Sequence, residues 1–175
     1  MPESQQPIDG QRLMIAHILG EPVSDVLDVG AGDGKWGRLL NGLVPRITAL
    51  EIWLSYVERY HLSETYTGVV VEDARKFARY ADYDVIILGD VLEHLCRKDA
   101  LNLIATLKEA GDRIYLTIPI TKCVQDGTVY GNPYETHLDQ WSNEELTVLG
   151  WRLLHRGLNS AGTVEIGTYF MRGEE

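Results

Sequence analysis

VLDVGAGDG, residues 26–34, is the stretch that decides the fold of this chain. Its first four residues predict a short buried strand, and glycines then follow at every second position, Gly30, Gly32 and Gly34. Glycine has no side chain, so the backbone amides of such a turn, and the start of the helix behind it, can approach a ligand closely. In a chain with 17 glycines and 26 acidic residues, the pattern acid-x-Gly-x-Gly-x-Gly has a chance of only about 2%. We therefore expect the turn to bind a ligand, and a purely structural turn is the alternative.

Strands and helices alternate on both sides of this turn. Hydrophobic periodicity predicts strands at 26–29, 47–50, 67–71, 83–88, 113–118, 151–156 and 164–171. It predicts helices at 9–19, 35–43, 53–61, 73–80, 98–110 and 142–149, and the last one begins with a capping-box pattern. Such alternation predicts a doubly wound, mostly parallel α/β sheet, and the short turn before the final strand predicts an antiparallel edge. Residues 1–175 are expected to form one domain.

Composition sets limits on partners and location. The net charge of −10 repels phosphate backbones and anionic lipids, so neither nucleic acid nor a membrane is expected as a partner. No apolar run reaches the roughly 18 residues of a membrane helix. The polar N-terminus is unlike a secretory signal, so we expect a cytoplasmic protein. Cys96 and Cys123 lack the spacing of a zinc site and are expected to be reduced thiols.

Two ligand classes compete for the glycine turn. Residues 32–37 also match the dinucleotide spacing G-x-G-x-x-G, which keeps an NAD-dependent oxidoreductase open as a hypothesis. That match begins two residues late, and the carboxylates of Asp28 and Asp33 disfavour a pyrophosphate close by. A ligand that carries an ammonium and a sulfonium group suits the two acids better.

The same stretch resembles motif I of the class I methyltransferases that use S-adenosylmethionine (SAM). The resemblance implies that Asp28, Gly30, Ala31, Gly32 and Gly34 bind SAM as the cofactor. It also implies a Rossmann-like sheet of seven strands, mostly parallel, with the last strand antiparallel. For Asp28, a role in the geometry of the turn is the alternative to a role in attracting the ligand.

Residues at the next three strand ends extend the resemblance. Glu51 matches the acid that takes the ribose hydroxyl groups, and Ile52 matches an apolar residue that packs on the adenine. Asp73 and Ala74 resemble the pair that reads the adenine edge. Asp90 opens a segment similar to motif IV, which borders the methionine end and the methyl group. The alternatives are a solvated strand-end acid for Glu51 and a helix cap for Asp73.

The acceptor side of the reaction has two candidate places. The first is Asp90, Glu93 and His94, which we expect at the start of a helix. In quinone-biosynthesis O-methyltransferases a similar arrangement of acids and histidine can hold a divalent ion. Here we favour a helix cap with a hydrogen-bonded histidine, predict no metal, and retain Asp90 as a candidate catalytic residue.

The second place is the loop at 119–141. A loop of this length in a compact domain is usually functional, and its segment 131–141 resembles one found in a subset of small bacterial methyltransferases, some of them associated with surface-polysaccharide clusters. We predict that Tyr134, His137 and Trp141 line the acceptor site, with His137 as the base for a hydroxyl acceptor. The alternative is that Tyr134 and Trp141 pack the loop down and that His137 bonds a backbone carbonyl.

The sequence as a whole predicts a SAM-dependent methyltransferase that acts on a small-molecule or glycan-linked acceptor. The acceptor pocket must then come from the N-terminal helical segment at 1–20, from the loop at 119–141, or from a second subunit in a homodimer. A non-catalytic protein that binds SAM as a sensor or scaffold is the second hypothesis, and the NAD-dependent oxidoreductase is the third.

Overall fold

A computed structural model of the chain describes residues 7–125 and 131–173. The strands are β1 (Asp25–Val29), β2 (Arg46–Glu51), β3 (Gly68–Val71), β4 (Val85–Gly89), β5 (Arg113–Pro119), β6 (Arg152–Leu158) and β7 (Glu165–Arg172). The helices are α1 (Ile8–Ile18), α2 (Lys35–Leu40), α3 (Leu54–Arg59), α4 (Leu62–Thr65), α5 (Arg97–Ala110) and α6 (Asn143–Val148). None of these helices is long and apolar enough to span a membrane.

The seven strands form one sheet in the order β3-β2-β1-β4-β5-β7-β6. The pairings from β3 to β5 are parallel, and β7 runs antiparallel to both of its neighbours. The expected doubly wound, Rossmann-like sheet with an antiparallel last strand is therefore confirmed. Val29 lies opposite Leu50 and Leu88, so the residues that follow, among them Gly30 and Glu51, reach the same edge of the sheet.

Successive residues of a strand point to opposite faces of the sheet. Both faces of this sheet carry apolar side chains, and helices cover both of them. Leu27 packs in one hydrophobic cluster with Leu103 of α5. Its neighbour Val26 packs in a second cluster with Ile18 of α1 and Leu40 of α2. Burial of one such side chain contributes about 1.5–3 kcal/mol, so the alternation of apolar residues fixes the face that each strand presents.

The segment at 73–80 is not the helix that the sequence predicts. Oδ1 of Asp73 accepts the backbone amide of Arg75 at 3.0 Å, and a turn follows. The only regular structure before β4 in this described connection is one 3-10 turn, Tyr80–Asp82. The amide of Phe77 donates to the carbonyl oxygen of Asp73 at 3.2 Å, so a single turn forms that does not continue as a helix.

Two other helices are shorter than predicted. The helix expected at 35–43 ends at Leu40, and Gly42 follows with a left-handed φ of 74°, which is common just after a helix. The helix expected at 53–61 is α3, which ends at Arg59 before His61, whose φ is 51°. The short helix α4 follows beyond the predicted range.

Helix α1 is attached to the sheet by a buried arginine of β5. Nη1 of Arg113 donates to the carbonyl oxygen of Ile18 at 3.1 Å, and Nη2 donates to that of Pro22 at 2.7 Å. The last carbonyl groups of a helix have no partner within the helix and carry its negative dipole end. The guanidinium satisfies one of them and adds a favourable charge.

The capping box of α6 gives the first testable prediction. Oγ of Ser142 accepts the amide of Glu145 at 3.2 Å, and Oε2 of Glu145 accepts the amide of Ser142 at 2.9 Å. We expect Ser142→Ala to lower the free energy of unfolding by about 1 kcal/mol, because it leaves one amide of the helix start without its partner. Urea denaturation followed by circular dichroism measures the change.

The matched control is Ser63→Ala, at an exposed position in α4. It is expected to change the free energy of unfolding by less than about 0.5 kcal/mol. Equal effects of the two substitutions would show that the capping box does not stabilise α6.

Candidate functional site

A cavity of about 420 Å³ opens at the carboxyl ends of the central strands. Its walls come from the ends of β1, β2, β3 and β4 and from the loop after β5, at residues 29–33, 50–52, 72–75, 89–91, 93–96 and 133–138. Ligands of doubly wound sheets bind at this edge. The volume falls within the range of about 300–1,000 Å³ that is typical of small-molecule sites.

Three glycines in the left-handed region shape the turn after β1. The φ angles of Gly30, Gly32 and Gly34 are 69°, 54° and 84°, a region that glycine enters without steric cost. A Cβ on Gly30 would lie 2.8 Å from Cγ2 of Val91, so this position also requires glycine for a close contact. Gly30, Ala31 and Gly32 line the cavity. Gly34 does not, and it precedes α2 instead, which corrects the expectation that it contacts the ligand.

Glu51 places a buried carboxylate at the end of β2, where it lines the cavity. Its Oε2 accepts the amide of Gly32 and its Oε1 accepts that of Trp53, both at 2.9 Å. Burial raises the pKa of Glu51 even though these two amide bonds oppose the shift. The side chain is 4% exposed, so the alternative of a solvated strand-end acid does not hold. Each oxygen keeps a lone pair for a further donor, so Glu51 can hold the turn and a ligand together.

Asp28 lies beneath the turn and does not line the cavity. Its Oδ2 accepts the hydroxyl of Tyr66 at 2.5 Å, and the oxygen of Tyr66 accepts the amide of Gly37 at 3.1 Å. Burial raises the pKa of Asp28 to about 7. The structure therefore corrects the expectation that Asp28 contacts the ligand. The carboxyl group supports the geometry of the turn through Tyr66, as the alternative proposed.

Ile52, Asp73 and Ala74 line the cavity at the ends of β2 and β3. Asp73 also receives the guanidinium of Arg75, with Nη2 at 2.5 Å from Oδ2, and Arg75 reaches Asp99 at 2.6 Å. The bonds from Arg75 lower the pKa of Asp73. The three residues line the cavity together, and their contact with an adenine stays a prediction. The helix cap considered for Asp73 is instead a turn with no helix behind it.

Asp90 turns the chain after β4. Its φ is 57°, which is uncommon for a residue other than glycine, and its amide donates to the carbonyl oxygen of Thr117 at 2.9 Å. The helix expected to start here is one 3-10 turn, Leu92–His94, and α5 begins only at Arg97. Non-glycine residues in this region concentrate at functional sites, and Asp90 lines the cavity.

Glu93 brings a second buried carboxyl group to the cavity. Its side chain is 2% exposed, and neither carboxyl oxygen has a hydrogen-bond partner among the described residues. Burial, together with the nearby charge of Asp90, raises the pKa of Glu93 well above its usual range. An ionised carboxylate in such a place costs several kcal/mol unless a partner is supplied.

His94 and His137 meet beside Glu93. Their ring centroids are 4.9 Å apart and nearly perpendicular, at 74°. Nδ1 of His94 lies 3.1 Å from the carbonyl oxygen of Thr136, and Nδ1 of His137 lies 2.8 Å from that of Cys123. A carbonyl oxygen only accepts, so Nδ1 of each ring carries the proton and Nε2 of a neutral ring presents a lone pair. Burial lowers the pKa of His94, and the charge of His137 lowers it further.

The loop after β5 folds over this cluster. The backbone amides of Leu138 and Asp139 both donate to the carbonyl oxygen of Glu93, at 2.8 and 3.1 Å. Nε of Arg97 lies 2.7 Å from Oδ2 of Asp139. The loop is thereby joined to the segment between β4 and α5. The part of the predicted acceptor loop at 126–130 lies outside the described residues.

The three loop residues predicted to line the acceptor site differ in position. Tyr134, which is 47% exposed, and His137 both line the cavity. Trp141 is 1% exposed and packs in the core, with the guanidinium of Arg97 at 3.9 Å from its ring. The structure thus corrects the placement of Trp141, which packs the loop down as the alternative proposed. His137 lines the cavity, as the prediction requires, and its Nδ1 also bonds a backbone carbonyl, as the alternative requires.

The N-terminal helix supplies no wall of the cavity. Among the described residues of the segment at 1–20, none lines it. His17 instead contacts Tyr115 and Phe170 on the sheet. Of the two segments of this chain considered for the acceptor pocket, the loop at 119–141 lines the cavity with described residues, and its contact with an acceptor stays a prediction.

Two other contacts of the loop were not predicted from the sequence. The hydroxyl of Tyr56 donates to Oε1 of Glu135 at 3.0 Å, and Nε2 of Gln125 donates to Oε2 of the same residue at 3.0 Å. Glu135 also contributes to the raised pKa of Glu51, which shows that the loop reaches across to the end of β2. No motif marks Tyr56 and Glu135, because their contact joins segments that are distant in the chain.

The sequence places Glu93 and His94 at a candidate acceptor site, but it predicts a catalytic role there only for Asp90. The missing information was the position of His137, more than forty residues away in the chain. A contact of that range leaves no periodic signal, so the three-residue cluster emerges only from the fold.

Comparisons with known proteins agree with this geometry. Residues 27–112, just under half of the chain, match a family model described as a methyltransferase domain. Among curated proteins, none matches the chain at a significant level of sequence similarity.

Solved structures give the fold. Magnesium protoporphyrin IX methyltransferase from Synechocystis PCC 6803, with bound S-adenosylhomocysteine (SAH), superposes with a TM-score of 0.66 and 17% identity, over 95% of this chain and 84% of that chain. The 1,6-didemethyltoxoflavin-N1-methyltransferase of Burkholderia thailandensis, with 1,6-didemethyltoxoflavin and SAH bound, gives a TM-score of 0.67 and 15% identity, over 96% and 79%. The fold is that of the class I methyltransferases. The family model supports methyltransferase activity, and the solved structures, at 15% and 17% identity, support the fold alone.

Asp28 gives a prediction about pH. The pKa of Asp28 is about 7 in the folded protein, against about 3.9 in an unfolded chain. The folded state therefore binds this proton more tightly, and the stability it contributes is present below about pH 4 and lost as the pH rises through about 7. We expect Asp28→Asn, which cannot ionise, to gain stability relative to the wild type between these pH values, by at most about 4 kcal/mol.

Urea unfolding of both proteins at about pH 4.5 and about pH 8 measures this difference. Asp82→Asn, at an exposed acid of the β3–β4 connection, is the control and should leave the difference nearly independent of pH. An equally flat difference for Asp28→Asn would contradict the assignment of a buried, protonated Asp28.

Proposed function

We propose that the chain transfers a methyl group from SAM to a hydroxyl group of a small-molecule or glycan-linked acceptor. The observation that carries the proposal is the arrangement of strand-end residues around one cavity. Glu51 and Asp73 lie on one side of the glycine turn of β1 in the sheet, and Glu93 with His137 lies on the other side. The first side suits the adenosyl part of the cofactor, and the second suits an acceptor.

Several features support SAM as the cofactor. The turn from Gly30 to Gly32 lines the cavity, and its two glycines have no side chain that would keep a ligand from the backbone. Hydrogen bonds from two ribose hydroxyl groups to the charged Glu51 would each contribute about 1.5–3 kcal/mol. Ile52, Asp73 and Ala74 follow at the adenine side. Two solved structures of the same fold hold SAH, which supports the same ligand class here.

On the acceptor side we assign His137 and Asp90 as catalytic residues, with Tyr134 as part of the acceptor wall. Methyl transfer chiefly requires alignment of the acceptor with the methyl group and the exclusion of water. A hydroxyl acceptor must also lose a proton, and Nε2 of His137 offers the lone pair that activates it. The net charge of −10 disfavours nucleic acid as the acceptor.

Calorimetric titration of the purified protein with SAM and SAH tests the proposal, followed by methyl transfer from labelled SAM to a panel of polyols, sugars and hydroxy acids. Absence of binding to both cofactors would refute it. Cofactor binding without turnover on any acceptor would favour a sensor or scaffold. Binding of NAD in place of SAH would favour the oxidoreductase.

Glu51→Gln tests the ribose assignment. Glutamine keeps one oxygen but loses the charge, and its nitrogen donates rather than accepts. We expect the Kd for SAH to rise at least about tenfold. Glu58→Gln, an exposed acid of α3, should stay within about twofold. If the affinity of a folded Glu51→Gln protein is unchanged, Glu51 does not bind the ribose.

His137→Gln tests the activation of the acceptor. We expect kcat to fall at least about a hundredfold, since a positioned base contributes that much or more, while the Kd for SAH stays within about twofold. His61→Asn is the control, because His61 is exposed and its left-handed backbone accepts asparagine. A parallel loss of SAH affinity in His137→Gln would assign this residue to closure of the loop instead.

A further inference from the structure

We propose that Glu93, His94 and His137 together form a binding site for one divalent cation at the acceptor side of the cavity. One potential ligand atom from each residue lies within 4.8 Å of the other two. Two of the residues come from the turn after β4 and the third from the loop after β5, so the site is assembled by the fold. The role of the ion rests on the proposed function, whereas its binding does not.

The two imidazole rings are oriented as in a metal site. Nδ1 of His94 faces the carbonyl oxygen of Thr136, and Nδ1 of His137 faces that of Cys123. Metal-ligating histidines commonly donate their second ring nitrogen to a backbone carbonyl, which fixes the tautomer and the ring orientation. The nitrogen left for a cation is therefore Nε2 in both rings.

Glu93 supplies the independent observation. Its side chain is 2% exposed, and both carboxyl oxygens lack a hydrogen-bond partner among the described residues. Buried polar groups nearly always have partners, so such a group needs an explanation. A cation between Glu93 and the two rings satisfies the carboxylate and both Nε2 lone pairs at once. Asp90 lies close enough to Glu93 and His94 to interact with both by charge, and it adds negative potential that attracts a cation.

The backbone holds the ligands in place. The carbonyl oxygen of Glu93 accepts the amides of Leu138 and Asp139, which joins the turn bearing two ligands to the loop bearing the third. Ligand atoms around an ion at about 2.0–2.2 Å lie roughly 3–3.5 Å from one another. Side-chain rotations that bring the three atoms closer by up to about 1.3–1.8 Å complete the site.

Two imidazoles and one carboxylate select a first-row transition metal over Mg²⁺ or Ca²⁺, which prefer oxygen ligands. In a six-coordinate ion three positions stay open for acceptor oxygens or water. A hydroxyl group bound there loses its proton to water more readily, and its oxygen attacks the methyl carbon of SAM to give a methyl ether and SAH. In this state His137 activates the acceptor through the ion.

Calorimetric titration of chelator-treated full-length protein with MnCl₂ tests the binding. We expect one ion per chain for the wild type and a Kd at least about tenfold higher for Glu93→Gln and for His137→Gln. His61→Asn, which alters the exposed pair of His61 and Glu64, should stay within about twofold of the wild type. Unchanged affinity in the two ligand variants, or no binding to the wild type at about 1 mM Mn²⁺, would overturn the proposal.

A second measurement does not depend on the folding of any variant. With Co²⁺ bound to the wild type, proton NMR should show two exchangeable, strongly shifted signals from the Nδ1 protons of His94 and His137. Absence of both signals would refute ligation by the two rings.

SAH titration of the same protein samples separates this inference from the proposed function. Mn²⁺ binding that depends on Glu93, without SAH binding, would refute the methyltransferase and keep the metal site. SAH binding with methyl transfer, without Mn²⁺ binding, would refute the metal site and keep the methyltransferase. Methyl transfer that survives chelation in a protein that binds Mn²⁺ would refute the role of the ion in the reaction.

Discussion

The parallel register of β1 between β2 and β4 is the constraint on which the site depends. Val29 lies opposite Leu50 and Leu88, so the chain leaves three neighbouring strands at one level of the sheet. The side chains that follow therefore reach one cavity without any additional element. A slip of one residue would exchange the two faces of a strand. The register is thus held by the burial of apolar residues on both faces, and the core and the site are specified by the same pairing.

Among the buried carboxyl groups that lie under this cavity or beside it, three are stabilised in different ways. Asp28 bonds the hydroxyl of Tyr66 and has a pKa near 7. Glu51 accepts two backbone amides that the turn itself supplies. Glu93 has no such donor among the described residues. An isolated buried carboxylate costs several kcal/mol. Hydrogen-bond donors offset this cost at Asp28 and at Glu51, whereas Glu93 still requires a partner.

Much of the site could be predicted from the sequence because its residues follow strands directly. Glu51 and Asp73 were located in this way, since the end of a strand is a local signal. Asp28 and Trp141 were misplaced because the sequence does not show which side of the turn or loop faces the cavity. The helix predicted at 73–80 is wrong, because the chain there makes a single turn and then one 3-10 turn at Tyr80–Asp82. The cluster around His137 could not be predicted, because it depends on a contact between distant segments.

Glu93 connects the chemistry of the site to the position of its loop. Its carboxyl group lines the cavity, while its backbone carbonyl accepts the amides of Leu138 and Asp139. These two bonds fix the loop against the turn after β4, and His137 thereby lies beside His94. The three-residue cluster of Glu93, His94 and His137 therefore depends on this docking of the loop. Under the proposed function the docking matters, because methyl transfer requires the acceptor and the groups around it to be held in alignment.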